Sequence, residues 1–225
     1  MIEISKLSKS FGKKEVLKNI SISLEKGKVY GIVGENGAGK TTLFNCIAGL
    51  EKHNGDVQST FGNLKDVTGF LQTEPFFFAN MTGNEYLRLF CNARNIAFAE
   101  IEKSNIFNLP LKDYVGTYST GMKKKLALSA VVIQKNAFLI LDEPFNGVDI
   151  HSNFIITELI KKLRDAGKTI LISSHIFSTL SDVCDQIFVL KEGEIVNTVE
   201  KSAFGALDDE LKTFTGIAFL DDLEL

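Results

Sequence analysis

Eight consecutive residues, Gly34-Glu35-Asn36-Gly37-Ala38-Gly39-Lys40-Thr41, carry the groups needed to hold a polyphosphate. The glycines let the backbone wrap so that several N–H groups converge, and a helix opening at the end of the run adds positive potential. Lys40 has the reach for β- and γ-phosphates, the Thr41 hydroxyl is a ligand type for Mg²⁺, and Thr42 follows on the same turn. The flanks fit that chemistry. Val29-Tyr30-Gly31-Ile32-Val33 is an apolar run of strand length. Thr42–Ala48 places Leu43, Phe44 and Ile47 on one helical face, with Gly49 as its stop. Strand, glycine-rich loop and helix together make a nucleoside triphosphate site.

Three more apolar runs end on polar groups. Val67–Leu71 ends on Gln72, Ala137–Leu141 on Asp142-Glu143-Pro144, and Thr169–Ser173 on Ser174-His175. Uninterrupted apolar strands belong to sheets covered on both faces, and ligands of open parallel sheets lie beyond the strands' carboxyl ends. The four ends should therefore meet at one nucleotide. Asp142 suits Mg²⁺ coordination beside Thr41, with Gln72 joining them at the metal. Glu143 is the candidate to orient and deprotonate an attacking water, and His175 and Gln72 to hold the γ-phosphate and that water. Pro144 restricts Glu143 to extended backbone, which aims its carboxylate.

The remaining elements frame this site. Ile2 and Ile4, then Val16, Ile20, Ile22 and Leu24, alternate with polar residues and predict two early strands. Ser8–Lys14 forms the turn between them. Phe11 sits on that turn, either partly buried or offering a face on which an adenine stacks. Glu51–Phe61 reads as a polar connection with a solvated His53. Phe76, Phe77 and Phe78 cannot all face one core, so at least one meets a groove or a partner. Thr82 and Glu85 have the spacing of a capping box opening a helix, and a second helical segment is expected near Glu100–Phe107. Ser119 is the expected N-cap of a helix carrying Leu126, Leu128, Val131 and Val132. The cations Lys123, Lys124 and Lys125 in its first turn are unfavourable there unless they are solvated or an anion lies nearby. Asn146–Asp149 is a turn, Glu192-Gly193 a hairpin turn, and residues 200–225 form an acidic tail without an assignment.

The chain has 225 residues, enough for one core with an insertion at about 73–125. A formal net charge of −3 gives no basic footprint, so nucleic acid is not an expected partner. Cys46, Cys91 and Cys184 have no metal-binding spacing and read as core residues of a reducing compartment. No secretory signal opens the chain, and no apolar run approaches the ~20 residues that span a bilayer. If the protein acts at a membrane, another chain does the crossing.

Taken together, residues 2–199 resemble an ATP-binding cassette (ABC) ATPase. Gly34–Thr41 resembles the family's Walker A, Gln72 its Q-loop and Leu139–Pro144 its Walker B. Tyr118-Ser119-Thr120-Gly121-Met122 resembles the signature motif, Asn146–Asp149 the D-loop, and His175 the switch histidine. Thr120 stands for the first signature glycine and Met122 for the glutamine. The resemblance implies an α/β fold of the P-loop NTPase type, a mixed sheet with antiparallel N-terminal strands, flanking helices and an inserted helical subdomain. It implies ATP and Mg²⁺ as cofactors and Phe11 as the adenine-stacking ring. It also implies a head-to-tail homodimer, or a heterodimer with a related cassette, in which Ser119, Gly121 and Asp149 serve the partner's nucleotide. A cytoplasmic ATPase subunit, peripheral on the inner face of the membrane and powering a separate permease of exporter type, is then the expected function. Phe76–Phe78 lie where such a permease would dock. A soluble ABC ATPase acting in cofactor or complex assembly is the alternative, and a nucleotide-gated module without hydrolysis a third reading.

Overall fold

The computed structural model describes residues 1–205; most of the expected acidic tail lies outside the described residues. In chain order the elements are β1 (Ile2–Phe11), β2 (Lys14–Leu24), β3 (Val29–Val33), α1 (Lys40–Ile47), β4 (Asn54–Ser59), α2 (Leu64–Val67), β5 (Thr68–Leu71), α3 (Gly83–Ala93) and α4 (Glu100–Ser104). They continue as α5 (Thr120–Ile133), β6 (Phe138–Asp142), α6 (Ile150–Asp165), β7 (Thr169–Ser174), α7 (Phe177–Ser181), β8 (Gln186–Lys191) and β9 (Glu194–Glu200).

The antiparallel N-terminal strands form a sheet of their own, ordered β2-β1-β4. Its apolar face is built by cross-strand pairs Ile2 with Leu24, Ile4 with Ile22, and Leu7 with Ile20. A register irregularity between Ile4 and Leu7 lets residues three apart face the same core. The hairpin turn is only Gly12-Lys13, shorter than the Ser8–Lys14 turn expected, and Phe11 ends β1 in register with Lys14. β4 lies within the stretch expected to be a polar connection. It is an edge strand whose sequence, NGDVQS, offers only Val57 to the core, so it carries no alternating apolar signal.

The second sheet is ordered β5-β6-β7-β3-β8-β9, parallel except for β9. β3, β6 and β7 are buried along their whole length, as strands covered on both faces must be. The four strands expected to end at the site, β5, β6, β7 and β3, are consecutive neighbours.

Between β5 and β6 the chain is helical, and α3, α4 and α5 enclose a core of Tyr86, Leu87, Cys91, Ile101, Leu126 and Ile133. α3 opens with the expected capping box. The Glu85 N–H donates to Thr82 Oγ1 at 3.2 Å, and Glu85 Oε2 accepts the Thr82 N–H at 2.8 Å. Thr82→Ala removes the hydroxyl that accepts the Glu85 N–H and should lower folding stability by about 1 kcal/mol in denaturant titration. Phe77 packs inward against Tyr86 with ring centroids 4.7 Å apart, whereas Phe76 and Phe78 are 72% and 58% exposed and stack edge to face. The three rings do divide between core and surface. All three cysteines are free and buried, and burial pushes the Cys184 thiol well above its ordinary pKa.

Candidate nucleotide site at the carboxyl ends of the parallel strands

The phosphate loop leaves β3 and enters α1 at Gly39, whose φ of +112° belongs to glycine. A β-carbon at Gly39 would lie 2.8 Å from Leu17 Cδ2, and one at Gly34 only 2.3 Å from the Leu190 carbonyl oxygen. The loop is thus pressed between β2 and β8, and glycine is dictated by contact as well as by dihedral. Lys40 is buried, and its ammonium donates to the Gly34 and Glu35 carbonyls at 2.7 and 3.2 Å. Glu35, Asn36 and Gly37 line the exposed rim of the loop, and Ala38 packs into the core beneath it. Thr42 is half-buried in the first turn of α1.

Asp142, at the end of β6, is fully buried and receives three hydroxyls. Thr41 Oγ1 and Thr73 Oγ1 donate to its Oδ2 at 2.7 and 2.6 Å, and Ser173 Oγ donates to its Oδ1 at 2.5 Å. One carboxylate therefore ties the phosphate loop to the ends of β5 and β7. Ser173 works twice, since its Oγ also accepts the Glu143 N–H at 3.0 Å. Nothing in the sequence alone marks Thr73 or Ser173. Ser173 pairs with Asp142 in the parallel register of β6 and β7, a signal that needs the topology before it can be seen.

Glu143 is not extended, contrary to the expectation from Pro144. Its φ is +50°, in the left-handed region. The proline excludes the right-handed helical region, but the chain must turn sharply after β6. The Glu143 N–H is held by Ser173 and its carbonyl accepts the Asn146 N–H at 3.2 Å, which fixes the left-handed alternative. Such backbone costs of order 1–3 kcal/mol and is characteristic of functional positions. The side chain is buried, with Oε1 3.9 Å from Lys40 Nζ and Oε2 2.9 Å from His175 Nδ1. Because a carboxylate only accepts, the proton of that bond resides on Nδ1. Gln72 reaches the same end of the sheet but is exposed, and the hydrogen bond made there is to its main-chain carbonyl.

Ser119, Gly121 and Asp149 form a second cluster. The Ser119 hydroxyl caps α5 by accepting the Met122 N–H at 3.2 Å. A β-carbon at Gly121 would meet the Gly147 carbonyl at 2.7 Å, so the start of α5 rests on the Asn146–Asp149 turn. Asp149 caps α6 through Ser152, and Lys125 Nζ lies 3.0 Å from its Oδ2. Among the described residues no hydrogen bond joins this cluster to the phosphate loop. Phe11 stands apart again, 49% exposed, with Lys9 Nζ 4.6 Å from its ring centroid.

Of the three lysines opening α5, Lys124 and Lys125 are neither simply solvated nor waiting for an anion. Lys124 is buried with its ammonium on main-chain carbonyls and Lys125 is paired with Asp149, so the protein itself supplies the partners of these two. The Ser152 and Lys125 bonds hold the Asp149 carboxyl well below the usual carboxylate range. A folded-state pKa below the unfolded value means that its stabilisation is present above about pH 3.9 and is lost as pH falls through the lower folded value. Carbon NMR of the Asp149 carboxyl should find it still ionised at a pH where unpaired aspartates are half protonated.

The described residues include no helix long and apolar enough to cross a membrane. The family model described as "ABC transporter" matches residues 17–146. The bacitracin transport ATP-binding protein BcrA of Enterococcus faecalis is 33% identical over 215 residues, covering 90% of this chain and 70% of the relative. The lantibiotic transport ATP-binding protein SrtF of Streptococcus pyogenes is 32% identical over 205 residues, covering 87% of this chain and 89% of the relative. A solved ATP-binding subunit of an ABC transporter superposes with a TM-score of 0.82 at 26% identity, over 96% of this chain and 93% of the other. With the phosphate loop joined to a buried aspartate and a glutamate–histidine pair beside it, the chain belongs to the ABC transporter family as an ATP-binding, ATP-hydrolysing cassette.

Proposed function

We propose that this cassette is the energising subunit of an exporter whose membrane-spanning permease is a separate chain, and that it works peripherally on the cytoplasmic face. The observation that carries the energising role is the hydrogen bond from Thr41 to Asp142, 2.7 Å long, which brings the phosphate loop and the β6 carboxylate onto one site. The oxygen-only set of Thr41 and Asp142, joined by Gln72, suits Mg²⁺, which supplies charge neutralisation to the β- and γ-phosphates when bound. Lys40 exchanges its two loop carbonyls for phosphate oxygens. Glu143 accepts the proton of the attacking water, and the imidazole of His175 fixes the carboxylate that does so. Phe11 stacks on the adenine.

Hydrolysis in this reading requires two cassettes. Ser119 and Gly121, at the start of α5, would cap the nucleotide of a second copy or of a related cassette, with Asp149 beside them. A helical subdomain of about residues 73–125 carries that cap, and Phe76 and Phe78 offer the exposed aromatic surface against which a permease docks. Relatives named for bacitracin and lantibiotic transport support a transport role over an assembly role.

The test is capture of tagged Glu143→Gln protein from gently solubilised native cells in Mg-ATP, followed by mass spectrometry. A polytopic membrane protein recovered in near-equal amount supports the exporter reading. Recovery of soluble proteins alone overturns it in favour of an assembly ATPase.

A further inference from the structure

Among the buried charged residues described, Lys124 is the one whose cost the proposed chemistry does not explain. It is the fifth residue of α5 and is 5% exposed. Its ammonium donates to the main-chain carbonyls of Thr73 at 2.7 Å, Gln72 at 3.3 Å and Asp142 at 3.4 Å. A lysine has three N–H donors, and here all three fall on carbonyls at the carboxyl ends of β5 and β6. No carboxylate lies within ion-pairing distance among the described residues, so the direct partners of the charge are peptide carbonyls. Burial pulls its pKa down, against the opposing fields of Asp142, Glu143 and Glu74. A hydrophobic side chain of the same length would avoid that desolvation, which makes a merely structural role a poor account of the lysine.

What the ammonium holds is the backbone that aims Thr73. With the Gln72 and Thr73 carbonyls tied to α5, Thr73 Oγ1 reaches Asp142 Oδ2, the oxygen that also receives Thr41. The start of α5 is the exposed Ser119–Gly121 end, five residues before Lys124 at its furthest. We propose that Lys124 is a positioning residue which transmits displacement of the α5 N-terminus to Thr73 and Asp142, so that seating of α5 against a partner's nucleotide tightens the hydrolytic site of its own chain. The inference rests on the reading of Asp142 and Glu143 as the hydrolytic site.

Two variants test it. Lys124→Met keeps the length and removes the donors; Lys124→Gln keeps two donors without the charge. Neither side chain contacts the phosphate loop, so binding of a fluorescent ATP analogue in EDTA should stay within twofold of wild type for both. Amide exchange in peptides covering β5 and its carboxyl end, residues 68–73, should accelerate at least tenfold in Lys124→Met, while β3 and β7 stay protected. Its kcat for Mg-ATP should fall 10–100-fold with little change in KM, and Lys124→Gln should recover part of both effects. Unchanged exchange at 68–73, or faster exchange with kcat within twofold of wild type, overturns the proposal. If Lys124→Met does not fold, Lys124→Gln is judged by the same two readouts against wild type. If wild-type protein binds ATP but never hydrolyses it, the proposed function fails, and unaltered exchange in the variants separately rejects the positioning role of Lys124.

Discussion

Glu143→Gln lowers ATP turnover by about 10²–10⁴-fold while leaving ATP affinity within a few-fold of wild type. The substitution is nearly isosteric. It keeps the oxygen that faces His175 Nδ1, the main-chain bond to Ser173 and the left-handed backbone, since none of these depends on the charge of the carboxyl group. What it removes is the capacity to accept a proton. Lys40 lies 3.9 Å from Glu143 and would lose a neighbouring negative charge, but its hydrogen bonds are to Gly34 and Glu35. Single-turnover measurements with radiolabelled ATP separate the outcomes. A fall in kcat with an unchanged binding constant is expected for a group acting only in the transition state. Turnover equal to wild type would remove Glu143 from the role of base, and a raised KM at constant kcat would make it a support for the phosphate loop.

The second large effect lies far from the phosphates in sequence. Gly193 turns the β8–β9 hairpin with a φ of +82°, beside Glu192 at +49°. Its N–H donates to the Ala38 carbonyl at 3.1 Å and its carbonyl accepts the Lys18 N–H at 2.9 Å. The hairpin thus braces the phosphate loop from behind. A β-carbon at Gly193 would stand 2.3 Å from the Val16 carbonyl oxygen, a distance no packing allows. Gly167 provides the control, because it has a similar φ of +78° and open space around its would-be β-carbon. Gly167→Ala should cost only the left-handed penalty, about 1 kcal/mol. Gly193→Ala should cost about 3 kcal/mol or more and weaken ATP binding too, because relieving the clash pulls the hairpin off Ala38. Equal destabilisation of the two variants in urea titrations would mean that the hairpin does not clamp the loop.

How much of this is legible in the sequence depends on whether the chemistry is contiguous. The phosphate loop declares itself because Gly34–Thr41 are neighbours in sequence and their spacing is the mechanism. Asp142, Glu143 and His175 are readable because a carboxylate or imidazole within two or three residues of an apolar run stands at the strand end where parallel sheets bind their ligands. Thr73 and Ser173 are not, since hydroxyls after strands are common and their meaning comes from strand order and register. Lys124 reads, with its neighbours, as a first-turn charge. Only the direction of the helix face, inward at 124 and along the Asn146–Asp149 turn at 125, separates the two. The backbone of Glu143 departs from the pre-proline expectation because that rule excludes one helical region and says nothing of its mirror image. β4 is invisible because an edge strand with one core-facing residue has no period to detect.

α5 has apolar residues on two sides. Ala127, Leu128 and Val131 pack into the core beneath the parallel sheet, whereas Leu126, Ala130 and Ile133 pack with α3 and α4. Local unfolding follows the number of cores that must be opened. α3 and α4 contribute to a single core and can detach from it at sub-global free energy; α5 can leave only if both come apart. The order of opening is therefore built in. Under mild denaturation the two small helices are released first, and α5 remains on the sheet, still carrying Lys124 and the cap at its start. The cassette loses its outer helices before it loses the wall they lean on.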